Sequence, residues 1–144
     1  MSSTGGKKHH AFQNFLIWPA VALGGAAGAL LRFSWVTLFP YTNSDFPWAI
    51  FSENILGAFL LGWFLAIFTG KTGNQRYIRA FFGTGLIGSF TTFSGITIDL
   101  AAFVQQGILL MPVVYITLSV LAGLLAAFAG IFAGKRTKTI LKVK

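Results

Sequence analysis

Four long apolar stretches, separated by short polar segments, organise this chain. The stretches cover about residues 15–39, 48–69, 78–104 and 109–133. Each is long enough for a helix of about 20 residues to cross the hydrocarbon core of a bilayer. The pattern predicts an all-α integral membrane protein, with a four-span domain at 15–134 between a polar tail at 1–14 and a basic tail at 135–144. Short connections make successive spans antiparallel, so both tails are expected on one side.

Charged residues make up only 10% of the chain, and their distribution predicts an orientation. Of the eleven lysines and arginines, all but Arg32 lie in the two tails or in the loop at 70–79. Positive charge of this kind accumulates on the cytoplasmic side of membrane proteins. We therefore expect a multi-pass protein of the cell (inner or plasma) membrane with both termini in the cytoplasm. Basic clusters confined to loops and tails also argue against a nucleic-acid partner.

Few residues are available for acid–base, nucleophilic or metal chemistry. The chain has no cysteine, two histidines and three acidic residues. A thiolate metal site is therefore excluded, and no pair of acid and base or nucleophile and base can be assembled. The sequence predicts that the protein is not an enzyme.

The third stretch carries a polar run, Thr91-Thr92-Phe93-Ser94, at mid-membrane depth. Glycines and β-branched threonines weaken a helix, and both are frequent between residues 83 and 97. The pattern predicts a broken helix, whose unpaired backbone groups are tolerated only where they are buried in protein or line an ionic path. The alternative is an intact helix in which the hydroxyl groups bond to carbonyls of the preceding turn.

Two other spans carry polar residues of possible function. Asn54, in the second span, offers two N–H donors to an anion, or else forms a hydrogen bond that joins two helices. Tyr115 and Ser119 share one face of the fourth span because they are four residues apart. They form either a short polar track or a pair of packing contacts.

Three charged residues lie inside the spans. Each costs about 2.5–3.5 kcal/mol at mid-membrane and less near an interface. Arg32 lies in the outer half of the first span and Glu53 in the outer half of the second, on the side opposite the two termini. There they could pair or extend toward the headgroups. Asp99, in the third span, is a further candidate partner for Arg32.

Small residues recur at four-residue spacing, which lets helix backbones approach closely. The stripes are Ala20-Gly24-Gly28, Ala58-Gly62-Ala66, Ser119-Gly123-Ala127 and Ala126-Gly130-Gly134. They serve contacts within one subunit or contacts with a second subunit.

Four motifs follow one another between about residues 24 and 130. They are GGAAGALLRF at 24–33, NILGAF at 54–59, GSFTTFS at 88–94, and Tyr115 with Ser119 and Gly123. Together they resemble the motifs of the Fluc (CrcB) family of fluoride ion channels. The Thr-Thr-Phe-Ser run is the most specific of them, and Arg32 matches the arginine of the family's first span.

The resemblance implies a dimer of oppositely oriented four-helix subunits, with two narrow pores at their interface that export fluoride passively from the cytoplasm. It also implies a structural sodium ion held by the backbone carbonyls of Gly88 and Thr91. The pore residues that it implies are Asn54, Phe93, Ser94, Tyr115 and Ser119. Neutral amide and hydroxyl donors and a phenyl edge suit a small anion that must also be released.

This sequence departs from the family pattern at several positions. Gly95 and Ile96 stand where the family usually has Thr-Phe, so the second of two facing phenylalanines is absent and this subunit cannot supply a complete aromatic gate. Glu53, beside Asn54, would repel fluoride unless neutralised. Asp99 stands where the family tends to have glutamate.

The charge asymmetry is the larger departure. Opposed homodimers need a chain that inserts in both orientations, whereas this asymmetry favours one. The sequence therefore favours a heterodimer, with a homologous subunit of opposite bias, over a homodimer. Two other functions remain open: a proton-coupled small multidrug-type transporter with Glu53 as its coupling acid, and a non-conducting partner subunit.

Overall fold

The structure, a computed structural model, describes residues 17–42, 45–68 and 74–141. Within these residues, four helical segments are long and apolar enough to cross a membrane. They are Ile17–Leu38, Trp48–Ile67, Gln75–Gln105 and Leu110–Ile140. The regular structure of the described residues is entirely helical, which confirms the predicted four-span, all-α fold. The tail predicted at 1–14 lies outside the described residues.

The third span is assembled from several helical pieces. In chain order the elements are α1 (Ile17–Leu38), α2 (Trp48–Ile67), α3 (Asn74–Ile78), a π-helical segment (Arg79–Ile87), α4 (Gly88–Phe90), α5 (Phe93–Gln105) and α6 (Leu110–Leu141). Residues 135–141 of the predicted basic tail continue α6, and the rest of that tail lies outside the described residues. Neither proline nor glycine follows Gly134 to stop that helix, and lysine and arginine are favourable near a helix C-terminus.

The spans associate as two parallel pairs, the first with the third and the second with the fourth. Gly24 lies against the Phe81 carbonyl and Gly28 against the Leu86 carbonyl, so α1 and the third span run in the same direction. A Cβ atom at either glycine would collide with these backbone atoms. Glycine is therefore required for this separation of the two helices.

Glycines packed against backbone carbonyls also join α2 to α6. Gly62 lies against the carbonyl of Ala127, and Gly130 lies against the carbonyl of Phe59. By contrast, a Cβ at Gly123 would meet nothing within 4 Å among the described residues. The predicted stripes thus divide into glycines that join helices of this subunit and at least one that does not.

We call the end of the bundle that holds Ile17 and Leu141 the basic end, and the other the opposite end. At the opposite end, Gly107 (φ 76°) ends the third span, and its amide and that of Ile108 donate to carbonyls of the last turn of α5. This is a Schellman turn, for which glycine is the preferred residue. The buried core of this end is a cluster formed by Ile50, Ile96, Phe103 and Tyr115.

Candidate functional site

The third span is interrupted at Thr91 and Thr92, which we call the break. α4 ends at Phe90, both threonines have extended backbone conformations, and α5 begins at Phe93. The predicted break is therefore present, and the alternative of an uninterrupted helix is wrong. The Thr91 hydroxyl nevertheless donates to the carbonyl of Ile87, 3.1 Å away, as that alternative described.

The peptide groups of Thr92 are satisfied by the side chain of Asn54. The Thr92 amide donates to Asn54 Oδ1 at 2.8 Å, and Asn54 Nδ2 donates to the Thr92 carbonyl at 3.0 Å. Asn54 therefore makes the interhelical bond that its sequence position allowed. Its Nδ2 carries two hydrogens, and one remains for another acceptor.

Thr92 also starts the second half of the third span. Its hydroxyl accepts from the Gly95 amide at 3.1 Å, as the N-cap residue of α5, and lies 2.9 Å from the hydroxyl of Ser94. A side chain on Gly95 would crowd the Thr92 methyl group and Ile50. Gly95 therefore permits this compact cap.

Gly57 makes room for the break on the side of α2. A Cβ atom there would collide with the methyl group of Thr91. Asn54 and Gly57 are one turn apart on α2, so one face of this helix both bonds the break and accommodates it.

The carbonyls of Gly88 and Thr91 have lost the donors that a continuous helix would give them. In an α-helix they would accept from the amides of Thr92 and Gly95, four residues later. Those amides donate instead to Asn54 and to the Thr92 hydroxyl. Carbonyl oxygens freed in this way are hard ligands that suit cations such as sodium, so the donor set fits the implied metal.

Several residues around the break face away from the core of the chain. Phe93 is 70% exposed, and Gly88 and Ser94 are also exposed. Ile96, at the position of the missing second phenylalanine, is instead buried in the core at the opposite end. The subunit thus presents a single phenyl ring beside the break.

Tyr115 lies apart from this open face. Its side chain is fully buried, and its hydroxyl donates to Asp99 Oδ2 at 3.3 Å. Tyr41 donates to Asp99 Oδ1 at 2.8 Å. Asp99 therefore binds two tyrosines, and the suggested pairing with Arg32 is not formed. Burial and the bond to Asp99 raise the pKa of Tyr41 far above its usual value, so Tyr41 keeps its proton.

Ser119 and Glu53 have buried polar atoms that lack a hydrogen-bond partner among the described residues. The Ser119 hydroxyl is one turn beyond Tyr115 on α6. Glu53 has no exposed surface, and neither of its carboxylate oxygens accepts a hydrogen bond. The suggested pairing of Glu53 with Arg32 is therefore not made through a hydrogen bond.

Two residues of this arrangement were not predicted from the sequence. Thr92 was part of the polar run, but its role as the N-cap of α5, which accepts from the Gly95 amide, was not assigned. The signal that could have found it is a threonine directly before the first residue of a helix, where threonine is among the preferred residues. Tyr41 was missed because it lies in a loop 58 residues from Asp99, and no local pattern relates them.

The fold and the break define a small polytopic membrane protein with irregular backbone at membrane depth, a feature of ion pathways and broken-helix transporters. A family model described as CrcB-like protein, Camphor Resistance (CrcB), matches residues 19–131. The chain belongs to this family, which confirms the resemblance of its motifs.

Curated relatives of the chain carry the name fluoride-specific ion channel FluC. The relative from Deinococcus radiodurans is 41% identical over 125 residues, which span 85% of this chain and 98% of the relative. The relative from Allorhizobium ampelinum is 38% identical over 117 residues, or 80% of this chain and 93% of the relative. FluC 1 of Streptomyces coelicolor is 35% identical over 116 residues, or 81% and 75% respectively.

Proposed function

We propose that this chain is a subunit of a fluoride-selective channel that lets fluoride leave the cytoplasm passively. The observation that carries the proposal is the break in the third span, bonded by Asn54 and bordered by exposed Phe93 and Ser94. It occurs in a chain whose relatives are named as fluoride channels.

The residue types beside the break suit fluoride. The second N–H of Asn54 and the hydroxyl of Ser94 are compact, neutral donors, and the ring edge of Phe93 carries partial positive charge. A fixed cation would retain the anion, whereas several weak neutral contacts replace its water and still release it. A membrane potential that is negative inside then drives fluoride outward.

Tyr115 and Ser119 stay predicted pore residues. Ser119 supports this role because its hydroxyl has no other partner among the described residues. Tyr115 contributes indirectly in this proposal, since its hydroxyl is bonded to Asp99.

A second subunit in the opposite orientation would complete the pore on the open face that holds Gly88, Phe93 and Ser94. Opposed subunits would bring two breaks together, and the carbonyls of Gly88 and Thr91 would then hold the structural sodium ion. Bound there, the cation would offset the dipoles of carbonyls that lack amide donors. The charge asymmetry favours a homologous partner of opposite bias over a second copy.

A non-conducting partner subunit is the competing function with specific support, because Ile96 leaves one phenyl ring beside the break instead of two. A proton-coupled multidrug-type transporter has less support, since its coupling acid must exchange protons with water and Glu53 has no exposed surface.

Fluoride efflux from liposomes, measured with a fluoride electrode, separates these functions. In a channel, Asn54→Asp places a negative charge at the break and removes a donor, so we expect at least a tenfold loss of efflux. Glu53→Gln removes a carboxylate that lies away from the open face, and efflux should persist. Loss of transport with Glu53→Gln together with full activity of Asn54→Asp would contradict the channel proposal.

A further inference from the structure

A cavity of about 420 Å³ opens at the basic end, between the first, second and third spans. Arg76 and Arg79 line it from the third span, and Ile17, Leu61 and Leu65 supply apolar walls from the first two. This cavity is separate from the break, because neither Thr91 nor Thr92 lines it, and Thr84, its lining residue nearest to the break in sequence, is seven residues before Thr91.

The lining combines a pair of positive charges with an extended apolar wall. Two guanidinium groups provide charge and planar donors that match a phosphate, and none of the described lining residues is acidic. The remaining wall is mostly aliphatic, and Leu65 is 40% exposed. A ligand that satisfies both parts has an anionic head and a hydrocarbon chain.

The cavity lies at the basic end of the spans, where we expect lipid headgroups to meet the hydrocarbon core. Ile17 is the first residue of α1, and its neighbour Trp18 is 73% exposed, as indole rings at membrane interfaces are. Arg76 and Arg79 begin the third span at the same end. A phosphate between the arginines would therefore remain in the headgroup layer while its chains extend along the span.

We propose that this cavity binds one acidic phospholipid, with its phosphate at Arg76 and Arg79 and one acyl chain against Leu61 and Leu65. Basic pockets between spans on the positively charged side of membrane proteins recognise anionic headgroups in this way. The apolar wall favours a lipid over a free anion, which would leave that surface unoccupied. The site would tie the stability of the subunit to membrane composition, independently of fluoride conduction.

The test is the thermal unfolding of the purified full chain in a neutral detergent, with added phosphatidylglycerol or phosphatidylcholine. A ligand that binds only the folded state raises the melting temperature as its concentration increases. We expect phosphatidylglycerol to raise it and phosphatidylcholine to leave it unchanged. The shift should be lost in the double variant Arg76→Gln/Arg79→Gln.

The matched control is Lys135→Gln/Arg136→Gln. It removes two positive charges at the same end of the bundle, but from α6, outside the cavity. It should keep the shift, and Arg79→Lys should keep part of it. For each variant, the change in melting temperature is measured against the same variant without lipid. A variant that is merely less stable is thereby distinguished from one that no longer binds lipid. Equal loss of the shift in both double variants would overturn the proposal, because attraction would then be nonspecific. The proposal would also be overturned if phosphatidylcholine raised the melting temperature equally, or if inorganic phosphate or fluoride alone reproduced the increase.

Discussion

Asn54 supplies the acceptor that the Thr92 amide loses where the third span is interrupted, and its Nδ2 also donates to the Thr92 carbonyl. Its carboxamide both accepts from and donates to the same residue, so the break is a defined conformation and not a frayed helix. Each such bond is worth about 1 kcal/mol net, but leaving a buried peptide group without a partner costs about 1–3 kcal/mol. The residue chemistry therefore fixes where the helix stops.

Thr92 fixes where the helix starts again, and its hydroxyl is testable without disturbing Asn54. Thr92→Val keeps the shape of the side chain and removes the acceptor for the Gly95 amide, so we expect destabilisation of about 0.5–2 kcal/mol. Thr92→Ser keeps the hydroxyl and should lose much less. Thermal unfolding of the two variants in one detergent measures the difference, and equal melting temperatures would contradict the capping role.

Glu53 is a charged residue of the second span whose carboxylate has no hydrogen bond among the described residues. Its burial explains how an acid can neighbour Asn54 without facing the open side of the break. Sequence alone could not indicate this. Adjacent residues of a helix lie about 100° apart around its axis, but which of those sides faces the core depends on how the helices pack.

At the scale of the elements, glycine sets how closely the spans pack. Gly24 and Gly25 are adjacent in α1 but differ in surroundings: a Cβ at Gly24 meets the Phe81 backbone, whereas one at Gly25 meets nothing within 4 Å.

Alanine substitutions at these two glycines therefore form an internal control. Gly24→Ala should separate α1 from the third span and destabilise the protein by about 1–3 kcal/mol, the usual cost of overpacking. Gly25→Ala should be neutral or stabilise by up to about 1 kcal/mol through helix propensity. Melting temperatures of both variants test this, and similar losses at the two positions would refute the proposed close approach.

The four spans and the break were predictable because both have local causes. About 20 apolar residues specify a span, and glycine with threonine in the third span weakens a helix wherever it occurs. The π-helical winding of Arg79–Ile87 was not predictable, since the same residues fit an α-helix equally well. The partners of Asp99 and the inward direction of Ile96 depend on packing between distant segments, which no local pattern encodes.

At the scale of the whole molecule, the open face beside the break and the asymmetric charge both favour pairing with a second, homologous subunit of opposite charge bias. The face leaves Phe93 and Ser94 available to a second subunit, and the positive charge gathers at one end of the bundle. We therefore expect the chain alone to release little fluoride from liposomes and a homologous chain of opposite bias to restore release. Full efflux by the chain alone would rule out the need for a partner while leaving the channel function intact.

The most direct test of the channel function is fluoride release from liposomes that hold the purified chain, alone and with such a homologue, after a potassium ionophore removes the opposing potential. We expect rapid release of fluoride, but not of chloride, in at least the paired preparation. Fluoride release no faster than from protein-free liposomes in both preparations, or equal release of chloride, would contradict the channel function.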